Sequence, residues 1–110
     1  MIAAVVVDLL EAASDEMEEA ADYYEGCRDG LGGRFLLEVR RAFTFIEETP
    51  QGGSPVLHPK VPEGVRRVLL DSFPYAVVYV EPELVIVAIA HLRRRPAYWA
   101  LRVRQVRSRA

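Results

Sequence analysis

The side chains able to do chemistry gather in the second half of the chain: Arg66 and Arg67 stand together, and His91, Arg93, Arg94, Arg95, Tyr98 and Trp99 fall within nine residues. An arginine fork makes paired, charge-assisted bonds to phosphate or carboxylate oxygens, so this set can hold an anion. Within the set, His91 is the side chain whose ordinary pKa lies near neutrality, which fits it to give or take a proton. Tyr98 can serve a related role. Tyr98 and Trp99 beside a basic run can also stack on bases while arginines hold phosphates, or instead anchor the C-terminal segment on a sheet. For His91 the plainer expectation is a histidine at a strand end, packed beside Tyr98 or Trp99 and bonded to backbone. No metal site is expected, because two histidines and one cysteine scattered along the chain do not form a zinc-ligand pattern.

These residues need elements to position them. The chain has 110 residues, 51% of them hydrophobic and 27% charged, the balance of one folded domain over residues 1–110. Residues 1–55 carry twelve acids against four bases, and residues 56–110 four acids against ten bases. Such a division points the second half toward something anionic, or the two halves toward each other. Ile2 to Leu9, with Val5, Val6 and Val7 in a row, predicts a first strand. From Glu11 the apolar spacing becomes helical through Ala13, Met17, Ala20 and Tyr24, with Asp15, Glu16, Glu18, Glu19 and Asp22 on the other face. A second helix follows through Leu31, Phe35, Val39, Ala42 and Ile46, limited by Pro50. Tyr23 and Tyr24 are expected to pack within this hairpin.

After a loop and a short edge segment at Val56-Leu57, strands are expected over Val65 to Phe73, Tyr75 to Glu81 and Leu84 to Leu92, an antiparallel meander. The last is apolar at nearly every position, which predicts a central strand covered on both faces. Pro96 opens a short turn or helix, followed by an arginine-rich tail. The expected class is α+β. The longest apolar stretch, Leu84 to Ala90, is too short to cross a bilayer, and no basic region precedes the N-terminal apolar run, so a cytoplasmic location without membrane contact is expected. The single cysteine, Cys27, agrees with a reducing compartment.

Several blocks in this order resemble a known family. Ala20-Ala21-Asp22-Tyr23-Tyr24-Glu25, Leu31-Gly32 with Arg34-Phe35, Phe73-Pro74-Tyr75-Ala76-Val77-Val78-Tyr79, and Ala90-His91-Leu92-Arg93-Arg94-Arg95-Pro96-Ala97-Tyr98-Trp99 are similar to stretches of the RelE/ParE toxin superfamily, most closely its ParE-like plasmid-stabilisation branch. The resemblance implies the toxin half of a type II toxin–antitoxin system, neutralised by a cognate antitoxin protein and needing no cofactor. It implies one of two actions. ParE-like members bind DNA gyrase and trap it on DNA; RelE-like members cut mRNA on the ribosome without a metal. For the ribonuclease, Arg66, Arg93, His91 and Tyr98 would be the catalytic set; for either action Arg67, Arg94, Arg95 and Trp99 would meet the target. Lys60, the only lysine, lies where ribosome-dependent members present several basic residues, and this thinness favours the ParE-like action. A homodimer or a toxin–antitoxin hetero-oligomer is compatible with either.

Overall fold

The computed structural model describes residues 7–109. Its elements run β1 (Asp8–Leu9), α1 (Glu11–Cys27), α2 (Leu31–Glu48), β2 (Ser54–Pro55), β3 (Val65–Leu69), β4 (Tyr75–Val80), β5 (Val85–His91) and α3 (Ala100–Ser108). The sheet has five strands in the order β1-β5-β4-β3-β2, with β1 parallel to β5 and the other pairs antiparallel. The protein is therefore α+β, with three helices on a mixed sheet among the described residues. Of the first strand expected over Ile2 to Leu9, Asp8 and Leu9 pair with Val85 and Ile86 and buried Val7 precedes the strand, while residues 2–6 lie outside the described residues.

The helix hairpin forms where the apolar spacing put it. Phe35, Val39, Ala42 and Ile46 all point inward from α2, and Ala13, Ala20 and Ala21 from α1. Small residues on α1 let the helices approach closely: a Cβ on Gly32 would lie 2.5 Å from the Ala21 carbonyl oxygen. The Glu25 carboxylate spans the turn and accepts the Gly30 and Gly32 backbone N–H groups, both at 3.0 Å. These are donors that the first turn of α2 leaves without helical partners. At the far end α2 stops at Glu48, two residues before Pro50.

Alternation along the strands divides the core in two. Toward the hairpin point Val77 and Tyr79 of β4 and Ile86 and Ile89 of β5, joined by Phe73 and Leu70. Toward the opposite face point Val78, Val80, Val85, Val87, Ala88 and Ala90, which Trp99 and Val103 cover. This answers why β5 is apolar throughout: α1 and α2 shield one face, and the chain's own C-terminal segment shields the other. The expected arginine-rich tail is thus the helix α3, whose Ala100 and Val103 are buried while Arg104 stays exposed.

Other boundaries moved. The short edge strand is Ser54–Pro55 rather than Val56-Leu57, although the Val56 N–H still donates to the Val65 carbonyl at 2.9 Å. Strand β3 ends at Leu69, short of Phe73, because the chain turns at Asp71 and Ser72, where the Ser72 N–H donates to the Glu38 carboxylate at 2.9 Å. Between Val78 and Tyr79 the β4–β5 register shifts, so Val87 is an extra residue opposite the Val78–Tyr79 step. Such a bulge turns one backbone group out of the ladder.

Candidate functional site

The residues singled out in the sequence separate into a structural set and a surface set. Arg66 belongs to the first. Its Nε donates to Glu81 Oε2 at 3.1 Å and its Nη1 to the Gly53 carbonyl at 2.8 Å, which ties β3 to the loop before it. Strand alternation sends Arg67 to the other face. The expected catalytic group of Arg66 with His91, Arg93 and Tyr98 is therefore not assembled in one place.

Tyr98 and Trp99 are also committed. Trp99 is only 5% exposed and sits among Val78, Val87 and Val103, so its expected contact with a target is replaced by anchoring of α3 on the sheet. Tyr98 donates its hydroxyl to Glu16 Oε2 at 2.7 Å, with the Arg94 guanidinium carbon 3.8 Å above its ring. Burial, and then the Glu16 carboxylate, push the phenol well above its ordinary pKa. A phenol held in this way keeps its proton and is a poor base.

Glu16 is the residue that sequence reasoning placed wrongly. It was expected on the exposed acidic face of α1, yet its side chain is 12% exposed and collects more polar partners than any other described here. Besides Tyr98, it accepts the Ile89 backbone N–H at 3.0 Å, receives Arg102 Nη1 at 3.0 Å and Nη2 at 3.1 Å, and lies 3.7 Å from Arg94 Nη1. Arg102 also donates to the Val87 carbonyl at 3.0 Å. Beyond the end of two-residue β1, the outer edge of β5 has no strand beside it among the described residues. Glu16 and Arg102 satisfy that edge, one taking its N–H and the other its C=O, and so occupy positions a neighbouring strand would fill. One signal was present in the sequence: Glu16 stands three residues after Ala13 and four before Ala20, on the buried stripe itself.

His91 ends β5 with its ring edge-on to Tyr75, centroids 5.0 Å apart, rather than beside Tyr98 or Trp99. Tyr75 continues a cluster through Phe35, Phe73 and Tyr24 with centroids 4.7–6.2 Å apart. Tyr23, by contrast, is 66% exposed. The Nδ1 of His91 accepts the Arg93 backbone N–H at 3.0 Å, so in the neutral ring the proton resides on Nε2.

The arginine run does not lie on a strand. Beginning with the Arg94 N–H to His91 carbonyl bond at 3.1 Å, the chain leaves the sheet in tight turns, and Ala97 adopts φ 59°, a left-handed conformation unusual for alanine. This turn forms one wall of a cleft of about 270 Å³ floored by Ala76, Val78 and Ala90 and bordered by Arg67, Arg95 and His58. Small side chains on the floor leave the hollow open; the cations stand at its rim. Arg67, Arg93 and Arg95 have no carboxylate partner among the described residues, whereas Arg94 has Glu16.

Taken as a class, this is an α+β domain with a cationic cleft on the sheet face opposite its helix hairpin, and no cluster of three or more His, Cys, Asp or Glu side chains suited to a metal is found among the described residues. Neither a protein-family model nor a curated protein matches the chain. No described helix is long and apolar enough to cross a membrane.

Proposed function

We propose that this chain is the toxin of a type II toxin–antitoxin pair, with a RelE/ParE-like fold and a ParE-like mode of action: it arrests growth by binding an essential target such as DNA gyrase, in the cytoplasm and without a cofactor. The reading rests on the sequence blocks from Ala20 to Trp99, and the order of strand, helix hairpin, antiparallel sheet and C-terminal helix agrees with it. One observation favours binding over cleavage. Of the expected catalytic set, Tyr98 is held by Glu16 and Arg66 by Glu81 and Gly53, which leaves His91 in the lining of the open cleft beside Arg67 and Arg95, arginines that pair with no carboxylate among the described residues. RNA hydrolysis without a metal needs a base, an acid and a cation in mutual reach. Binding needs only the cations and a complementary surface.

Expression from a tightly controlled promoter, with and without the adjacent gene, tests the proposal. Growth should stop when the chain is expressed alone and resume when its antitoxin is co-expressed; unchanged growth in both cultures would remove the toxin reading. Gyrase supercoiling by the purified chain should then fall. Codon-positioned cuts in mRNA, abolished by His91→Ala or Arg93→Ala, would instead establish the ribosome-dependent ribonuclease.

A further inference from the structure

The two helices of the hairpin turn opposite charges to the outside. On α1 the exposed charges are all acidic, with Glu11, Asp15, Glu18, Glu19 and Asp22 along its outer side. From Gly33 to Phe45 the exposed charges of α2 are all basic: Arg34, Arg40 and Arg41. None of these acids or arginines forms an ion pair among the described residues. Like charges four residues apart, as Asp15 stands from Glu11 and from Glu19, work against the helix that carries them. Leu36 and Leu37, 37% and 46% exposed, lie among the arginines. The outer face of the hairpin thus sets an acidic helix beside one of leucines and arginines.

From this arrangement we infer that the outer face of the hairpin is the interface of a homodimer, covered by the same face of a second copy. A two-fold axis running along the hairpin lays each α1 over the α2 of the other copy, so one patch satisfies itself. The levels match. Gly32 packs against Ala21, and counting away from that contact along the antiparallel helices puts Arg34 level with Glu19, and Arg40 and Arg41 between the levels of Asp15 and Glu11. Exposed Glu48 falls past the first residue of α1, so it faces none of the acids on that helix. A basic peptide would cover the acids and leave the arginines and leucines bare. An end-to-end stack, with α1 on the basic cleft of the next copy, would also leave them bare and would not close. A second copy supplies acids to the arginines, arginines to the acids and leucines to the leucines. The inference does not depend on the toxin proposal, since a chain that leaves growth unaffected can still dimerise.

Sedimentation velocity and light scattering of the purified full chain test it, at concentrations from about 1 to 100 µM. The chain should run at twice its monomer mass in low salt, and the dimer should weaken as added salt screens the charges. Two double variants each reverse one side. Glu11→Arg/Asp15→Arg puts bases on both helices at that level, Arg40→Glu/Arg41→Glu puts acids on both, and each alone should dimerise more weakly by about tenfold or more. Mixed in equal amounts, the two should pair with each other and recover the dimer mass, because each α1 then meets an α2 of opposite charge. Gln105→Glu, on exposed α3, should dimerise like the parent. If a charge variant does not fold, by thermal melt, Leu37→Asp takes its place and should weaken the dimer by about tenfold or more. A parent chain still monomeric at about 100 µM in low salt, species larger than a dimer, variants that dimerise like the parent, or a mixture that stays monomeric would each overturn the inference. So would a chain that gains mass only when the product of the adjacent gene is added, since that protein would then be the occupant of the face.

Discussion

Glu16 shows how much one carboxylate can organise. Its two oxygens take a backbone N–H from β5, the Tyr98 hydroxyl and the Arg102 fork, and so join α1, the last strand and the C-terminal segment. Glu16→Ala would leave the Ile89 N–H and a largely buried guanidinium without their partner, and should lower the free energy of unfolding by about 2–4 kcal/mol in urea titrations. Tyr98→Phe removes one charge-assisted bond but leaves the others, and should cost about 1–2 kcal/mol. The same variant separates stability from chemistry: under the binding proposal it should arrest growth as the parent does once expression is matched. A collapse of toxicity in a folded Tyr98→Phe protein would return the phenol to the reaction. That Glu16 carries this role was readable only in part, because a glutamate at helical spacing is as compatible with a solvated face as with a buried edge.

At the level of elements, the loop before β3 is pinned by Tyr79. Its hydroxyl donates to the Pro50 carbonyl at 2.7 Å and accepts the Gly53 N–H at 3.1 Å. A Cβ on Gly53 would sit 2.7 Å from that oxygen and 3.0 Å from the Arg67 carbonyl, so Gly53→Ala should push the loop off β3 and cost about 1–3 kcal/mol, measured by thermal unfolding. The turn after β5 has the opposite character. Ala97 holds φ 59° in the wall of the basic cleft, and Ala97→Gly should relieve that strain and raise stability by about 0.5–1 kcal/mol. Helix positions were legible from apolar spacing, since α1 and α2 each bury one stripe. The arginine run was not. Three adjacent arginines fit a strand or a turn equally, and only the His91 carbonyl bond to the Arg94 N–H decides for the turn.

Across the whole molecule, the four tyrosines Tyr24, Tyr75, Tyr79 and Tyr98 have phenols raised above their ordinary pKa, chiefly by burial. A raised phenol contributes stability that is complete below the unfolded pKa of about 10 and is lost as pH climbs through the folded value. Stability should therefore be level through neutral pH and fall from about pH 10 upward, and the fall should be smaller in Tyr98→Phe. Denaturant midpoints from pH 8 to 11 would show it; a midpoint unchanged to pH 11 would contradict it. The amino-acid order alone determined the α+β class, the helix hairpin, the apolar central strand and the charge division between halves, because periodicity and composition are local properties. Tertiary structure alone decided which charges face each other. It paired Arg66 with Glu81 across the sheet, drew Glu16 under β5, and closed the second face with α3. Those outcomes depend on residues far apart in the chain meeting across the sheet, and no local pattern encodes such a meeting.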